Sequence, residues 1–386
     1  MKAIISGGGI GGLATASALA QRGWDVTVYE GNPTLRVSGS GIYLWSNGLK
    51  VLKNVGAFER VCRDPFWSLG VENRGRNNEM IAPAGLPPGL EIICVARRDL
   101  LEGLEEAARR SGVRIVTSAP VVSASPNGSF KFANSDIVEA DLAIGCDGTS
   151  SPVRRALGLE RLFMRSDEGA LRVIVKATQD DMPPDMRGRC FENWNGRRRL
   201  LVTPISATEV FLAMTCPEDD VEARDPAIRD CWREAFPTWR FLLDRIPDGS
   251  GVLWNTYTTI VCEGWSAGRT CIVGDAAHAQ LPNIGQGGGM ALQNGLGLAA
   301  FMANVADRRD IPEALVAWEA ATRPLTDQCQ HWSGMWGNLR DIPDDVRVGL
   351  FHSMGQSEWL GSKITAPAAS EPIAHTHWSP TSVSVA

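Results

Sequence analysis

Two glycine-rich turns at opposite ends of the chain hold the residues best suited to chemistry. The first is SGGGIGG at 6–12, and the second is GDAAHAQLPNIGQGGGM at 274–290. In the first, Gly7, Gly9 and Gly12 make G-x-G-x-x-G, with Gly11 inside the repeat. That spacing gives a tight turn, a bare backbone against a pyrophosphate, and close packing of the helix that follows. The helix start then presents unpaired N–H groups and a positive dipole end to phosphate. Glu30 follows Gly12 by 18 residues, where a carboxylate can accept hydrogen bonds from a ribose. In the second turn Asp275 offers a carboxylate and His278 an imidazole, while Gly285, Gly287 and Gly288 offer backbone N–H groups beyond Pro282. A carboxylate at a strand mouth suits ligand hydroxyls, and the N–H groups suit a ring that becomes negative on reduction.

The elements that must hold these turns follow from periodicity. KAIISGGG reads as a buried strand, IGGLATASALAQRG as a helix of small residues and WDVTVYEGN as a second strand, so the chain opens on a βαβ unit. LLEGLEEAARRSG from Leu100 reads as a helix, VRIVTS as a strand, and DLAIGCDG from Asp141 as a buried strand ending in a turn. From Leu171 the runs LRVIVKA, RLLVTPI, EVFLAMTC and VLWNTYTTIV predict an antiparallel or mixed sheet covered on one face, with a helical stretch at 219–242. TCIVGDAAH returns to a buried strand and MALQNGLGLAAFMANVA to a helix. The expected fold class is α/β. A Rossmann-like dinucleotide domain (1–70, 97–165 and 262–365, ending in C-terminal helices) is interleaved with a mixed or antiparallel-sheet substrate domain (71–96 and 166–261). Residues 366–386, rich in Pro, Ser, Thr and Ala, are expected to form a loose tail.

Bulk properties exclude several classes. A formal charge of −6 argues against a nucleic-acid surface, which needs a basic footprint. No apolar run reaches the ~20 residues of a membrane span. Nine cysteines, scattered singly, fit the reduced thiols of a cytoplasmic protein and neither a disulfide framework nor a metal site. The N-terminal residues resemble a secretory signal, but the glycine run interrupts the apolar helix such a signal needs, so a mature N-terminus is expected.

The first turn alone leaves NAD and FAD open. FAD carries a ribityl chain and an isoalloxazine ring beyond the reach of one βαβ unit, and Asp275 with its glycine turn gives that far half a partner. An NAD-dependent dehydrogenase would leave the second turn without a role. A flavin halogenase needs a W-x-W-x-I-P segment that TWRFLLDRIP does not supply. A non-catalytic flavin-binding protein is the remaining alternative. The expected cofactor is therefore tightly bound, non-covalent FAD.

These motifs carry a family resemblance. GDAAH…P…GQG is similar to the flavin motif of the para-hydroxybenzoate hydroxylase-like family of single-component FAD-dependent aromatic hydroxylases. CDGTSSPVR, with Asp147, Gly148, Ser151 and Arg154, resembles that family's middle motif, which serves both FAD and the nicotinamide cofactor. WEAATRP from Trp318 looks like its C-terminal helix signature, so the resemblance spans roughly residues 1–335. It implies further flavin contacts at Arg36, at Arg97 in ARRDLLEGL, and at Val122. GIYLWSNGLKVL from Gly41 and LVAWEAATRPLTDQCQ from Leu315 are similar to the members that act on hydroxypyridine carboxylates. Against those members Phe211 replaces a substrate tyrosine and Leu281 a cysteine, while Asn294 departs from the aspartate usual in the wider family.

The implied reaction uses NAD(P)H and O2, through a flavin C4a-hydroperoxide, to hydroxylate a hydroxylated N-heteroaromatic acid such as a hydroxypyridine carboxylate, with or without ring opening. A benzenoid phenol acid such as a hydroxybenzoate or salicylate is the alternative substrate. NAD(P)H docks transiently in this family, consistent with a single G-x-G-x-x-G, and a monomer or homodimer is expected. Arg199 is expected to clamp a substrate carboxylate bidentately, against the plainer reading of a surface cation in GRRRL. Tyr257 is a candidate hydrogen-bond partner for the ring, or a core residue. Pro282 is expected beside the flavin and Trp45 at the pocket edge, with His278 supporting its loop rather than acting as a base.

Overall fold

The computed structural model describes residues 1–35, 40–82, 85–247 and 252–380. Ile4, Ile5, Val26, Val28, Leu142, Ile144 and Ile272 are buried, as runs covered on both faces of a sheet must be. They lie in a six-stranded sheet ordered Ser266–Ala267, Thr270–Ile272, Leu142–Gly145, Lys2–Ser6, Asp25–Tyr29, Arg114–Val116. Every neighbouring pair is parallel except the first. Helix Ile10–Ala20 packs on helix Gly287–Met302, and both are buried nearly all round. Missing side chains permit that approach, since a Cβ on Gly295 would lie 2.3 Å from Thr15 Oγ1. The two glycine turns are thereby brought to one edge of the sheet.

The second sheet has seven strands, ordered Asn255–Cys262, Glu160–Lys176, Glu209–Pro217, Arg198–Pro204, Cys190–Asn195, Val71–Arg74, Met80–Ala82. Period-two alternation divides its residues. Leu171, Val175, Phe191, Val202, Leu212 and Met214 pack with Trp232, Phe236, Trp239 and Leu243 on one face. Arg172, Ile174, Glu192, Arg199, Leu201, Phe211, Ala213 and Tyr257 turn to the other, where the cavity lies. A three-stranded sheet, Gly41–Trp45, Ile92–Ala96 and Phe66–Trp67, bridges the two. Gly41 passes so near Phe211 that a Cβ would lie 2.8 Å from its ring.

Two expectations are corrected here. The helical stretch at 219–242 is broken into Val221–Arg224, Asp230–Ala235 and Arg240–Leu243, because Pro226 and Pro237 interrupt the backbone ladder. The tail is not loose over its described part. Helix Glu358–Ala369 takes its first residues. Arg22 then donates to the Ala374 carbonyl at 2.7 Å, and Asn304 to the Trp378 carbonyl at 2.7 Å. Trp378 lies on Phe301 at 6.0 Å, so two apolar side chains, Ile373 and Trp378, outweigh the polar composition around them. Before this helix run Ile311–Gly337 and Asp344–Gly355. Among the described residues no helix is long and apolar enough to cross a membrane, and all nine cysteines are free.

Candidate active site

A cavity of about 1430 Å³ opens between the two sheets. At its nucleotide end lie Gly9, Gly11, Gly148 and Thr149. Gly7 is the residue that makes the turn: its φ is +103°, and a Cβ would lie 2.3 Å from the Cys146 carbonyl oxygen. A Cβ on Gly12 would lie 2.0 Å from the Gly7 carbonyl oxygen, whereas one on Gly9 meets nothing within 4 Å. Two of the glycines therefore shape the loop and the third leaves room for a ligand. Helix Ile10–Ala20 has no side-chain cap at Gly9, so its first N–H groups face that room. Glu30 accepts from the Gly8 N–H at 2.9 Å, tying the second strand to the turn. This cradle suits the pyrophosphate of FAD.

The flavin-side loop is built from the second turn. Gly274 and Gly285 take φ of +67° and +63°, and the Gly285 N–H donates to the Pro282 carbonyl at 2.9 Å. Pro282, Gly285, Gly287 and Gly288 all line the cavity, as does Trp45. The Trp45 indole N–H is buried without a hydrogen-bond partner, a group that a polar cofactor edge would satisfy. Asp275 is exposed to the lumen of the cavity, where the surrounding protein raises its pKa while Arg97, also on the cavity wall, opposes the shift. Asp275→Ala is expected to weaken FAD retention about 10- to 100-fold, the loss of one or two charge-assisted hydrogen bonds. Equilibrium dialysis of the flavin checks this, and an unchanged dissociation constant removes the role assigned to Asp275.

Arg154 is fully buried and donates to Glu160 at 2.9 Å, to the Ala276 carbonyl at 2.9 Å and to the Thr149 carbonyl. It staples the middle motif to the loop of Asp275 and does not line the cavity. Asp147 likewise turns back, its Oδ2 accepting from the Val153 N–H at 3.4 Å, and the cavity takes Gly148 and Thr149 in its place. Burial raises the Asp147 pKa, with hydrogen bonds from Ser151 and Val153 opposing. Val122 lies in strand Val121–Ser125 with its side chain 47% exposed, outside the cavity lining. Arg36 falls outside the described residues.

His278 supports its loop. It is 3% exposed, its Nε2 lies 3.1 Å from Asn294 Nδ2, and Asn294 also donates to Thr326 at 3.0 Å. Asparagine serves there because it bridges a neutral imidazole to a hydroxyl. Burial lowers the His278 pKa to about 4. Since the unfolded value is about 6.5, its contribution is fully present above that pH and is lost as pH falls towards 4, by about 3 kcal/mol. Melting curves between pH 7 and 4.5 are expected to be flatter for His278→Asn than for the parent, and parallel curves would refute this.

The substrate end is polar and crowded. Arg199 is 3% exposed, and its Nη2 donates to Glu168 at 2.8 Å. Its Nη1 donates to Glu192 at 3.2 Å and to Asn283 at 2.9 Å, and the guanidinium lies 5.0 Å over the Trp194 ring. Of the three consecutive arginines, Arg197 and Arg198 pair with surface aspartates and Arg199 turns inward. The bidentate clamp expected of Arg199 is thus already filled by two protein carboxylates. Tyr257 lines the cavity, with its hydroxyl 3.1 Å from Thr215 Oγ1 and Arg172 stacked 5.2 Å over its ring. Sequence reasoning missed Glu168, Glu192, Asn283, Trp336 and Arg172. For Glu192 a signal existed, because the Asn195–Gly196 pair marks a hairpin whose register, Trp194 opposite Arg199 and Glu192 opposite Leu201, puts all four on one face.

Comparisons with known proteins agree with this layout. A family model described as FAD binding domain matches residues 1–333. A probable 2-heptyl-3-hydroxy-4(1H)-quinolone synthase of Rhodococcus erythropolis is 34% identical, over 94% of this chain and 96% of that one. A 2-heptyl-3-hydroxy-4(1H)-quinolone synthase of Mycobacteroides abscessus is 34% identical over 92% of this chain and 94% of its own length. Among solved structures, the tetrameric form of 2-methyl-3-hydroxypyridine-5-carboxylic acid oxygenase superposes with a TM-score of 0.87 at 30% identity, covering 98% of this chain and 99% of that one. The cradle formed by the two turns therefore has an occupant and a chemistry: the chain belongs to the FAD-binding-domain family and is an FAD-dependent, NAD(P)H-consuming aromatic monooxygenase.

Proposed function

We propose that this enzyme hydroxylates an N-heteroaromatic ring that carries an electron-donating hydroxyl or oxo group, and that the ring is net neutral, of the 4-quinolone type. The observation that supports this reading is the state of Arg199, whose two terminal nitrogens are taken by Glu168, Glu192 and Asn283, so that only a buried Nε–H is left without a partner. A carboxylate placed there would instead meet two buried acids, a like-charge contact that costs several kcal/mol. The rest of the wall supports a largely apolar ring, with Phe211, Leu201, Ile174, Ala213 and Leu281 around it. The quinolone names of the relatives from Rhodococcus and Mycobacteroides point the same way.

The flavin, when bound, supplies the activation of oxygen and its delivery as an electrophile. This chain's residues bind and orient the ring. Tyr257 and Thr215 offer a hydroxyl pair to its polar edge, Pro282 and Asn283 bring the flavin-side loop to it, and the apolar wall excludes water.

A second reading rests on Arg172. It lines the cavity over Tyr257 and has no carboxylate partner among the described residues, so it could receive the acid of a hydroxypyridine carboxylate. The test is NAD(P)H oxidation by the yellow protein with a 2-alkyl-4-quinolone, a hydroxypyridine carboxylate and a hydroxybenzoate, with product masses. A product heavier by one oxygen atom from the quinolone alone supports the neutral-ring reading. Turnover of the pyridine acid alone transfers the anchor to Arg172. Turnover of the benzoate alone refutes both N-heterocyclic readings.

A further inference from the structure

Of the two acids held by Arg199, Glu168 and Glu192, each keeps one oxygen short of partners, but Glu192 alone of the two lines the cavity. Its Oε1 is held by Arg199 at 3.2 Å, but its Oε2 has only the Trp336 indole N–H at 3.5 Å, a long contact. Its partner Glu168 lies behind it, fully buried and engaged by Arg199 at 2.8 Å with Arg340 at 3.7 Å, and does not reach the cavity. Glu192 does line the cavity, beside Leu201 on the same sheet face. Arg199 also holds Asn283, the residue after Pro282, so one guanidinium fixes both the flavin-side loop and this carboxylate. A nearly free carboxylate oxygen is thereby held at a set distance from the loop beside which the ring must be oxidised.

We infer that Glu192 is a catalytic residue that accepts the ring N–H or O–H hydrogen of the substrate while oxygen is transferred. The assignment rests on the N-heteroaromatic reading above. As a ring carbon bonds to the electrophilic oxygen, the O–O bond breaks and positive charge develops on the ring nitrogen or its conjugated oxygen. The hydrogen there passes to Glu192 Oε2. The attacked carbon would then give its own proton to the oxygen atom left behind, which with the hydrogen still carried by the reduced cofactor would leave as water, while Glu192 returns its proton to the ring and is a carboxylate again. NAD(P)H and O2 supply the electrons and the oxygen, so nothing beyond the established activity is consumed.

The charged groups around Glu192 favour this use. Arg199 faces it from the neighbouring strand, Glu168 from strand Glu160–Lys176 three places across the sheet, and Arg347 acts on it from helix Asp344–Gly355. Arg340 stands beyond Glu168 and is itself paired with Asp167. Burial first, then Glu168, lifts its pKa above the usual carboxylate range while Arg199 pulls it down. A base lifted towards neutrality is better matched to an acid–base task than an exposed carboxylate.

The test uses FAD-loaded enzyme with 2-heptyl-4(1H)-quinolone and its N-methyl derivative. Glu192→Gln keeps the shape and the Arg199 contact, so flavin affinity and melting temperature should be retained. For the N–H quinolone, kcat/KM is expected to fall about 100-fold, and the acid limb of its pH profile is expected to vanish. N-methylation should cost the parent a similar factor but cost Glu192→Gln less than about threefold, because the same contact is already gone. Retention of the rate within twofold, or losses that simply multiply, overturns the assignment while leaving the substrate reading intact. No turnover of either quinolone by the parent overturns the neutral-ring reading, and this assignment with it.

Discussion

Arg199→Met is expected to lower the stability of the folded chain by about 3–5 kcal/mol, the loss seen when one partner of a buried ion pair is removed. The size follows from what remains. Glu168 is fully buried and Glu192 nearly so, and the guanidinium is the closest cation to both. Without it two acids face each other in a poorly solvated space, and the Trp194 ring loses the cation stacked 5.0 Å above it. Protonating both acids would relieve part of the loss, so the deficit should shrink as pH falls from 8 to 5. Urea denaturation across that range measures it. The triple variant with Glu168→Gln and Glu192→Gln should recover most of the stability, because it removes the buried charges together. A single variant as stable as the parent at pH 8 would falsify the claim that Arg199 neutralises these two acids.

Gly12→Ala should yield protein that does not retain FAD. Its new Cβ would stand 2.0 Å from the Gly7 carbonyl oxygen, which is backbone and cannot swing aside like a side-chain tip. The turn, the following helix or both must move, at about 1–3 kcal/mol or more for such overpacking. Gly9→Ala makes the contrast. A Cβ there meets nothing within 4 Å, so the apoprotein should melt like the parent, yet the methyl would occupy the room left for the pyrophosphate. Flavin content after gel filtration and the melting temperature without flavin separate the two effects. If Gly12→Ala keeps its flavin, the close packing of helix Ile10–Ala20 on the turn is not what holds the cradle in shape.

Much of the nucleotide half can be read from the sequence because its demands are local. The spacing of Gly7, Gly9 and Gly12 encodes a turn made within one βαβ unit, and Asp275 follows its own strand directly. The substrate half depends on register between distant strands. Glu168 meets Arg199 because Glu168 stands opposite Pro217, two places from the Thr215 that pairs with Arg199. Nothing in GRRRL shows which of three arginines turns inward until the hairpin at Gly196 fixes the face. The tie made by Arg154 is hidden for a similar reason: its motif is local, but the Ala276 carbonyl it donates to lies in helix Asp275–His278, far along the chain. The tail failed on composition, which averages over the few apolar residues, Ile373 and Trp378, that dock it.

The strand order of the parallel sheet also bears on how the protein is made. Lys2–Ser6 leaves the ribosome ahead of the strand that carries Asp275 to the cofactor, Thr270–Ile272, which follows roughly 260 residues later. At about 5–20 residues per second, the opening βαβ unit waits roughly 13–50 s for the far wall of its own binding site. A nascent chain cut short before that strand holds the adenine-side turn without the flavin-side turn. Yellow colour should therefore appear on ribosome-bound chains only after the second turn has left the exit tunnel, which makes the vitamin-derived cofactor a late passenger in biosynthesis rather than an early scaffold.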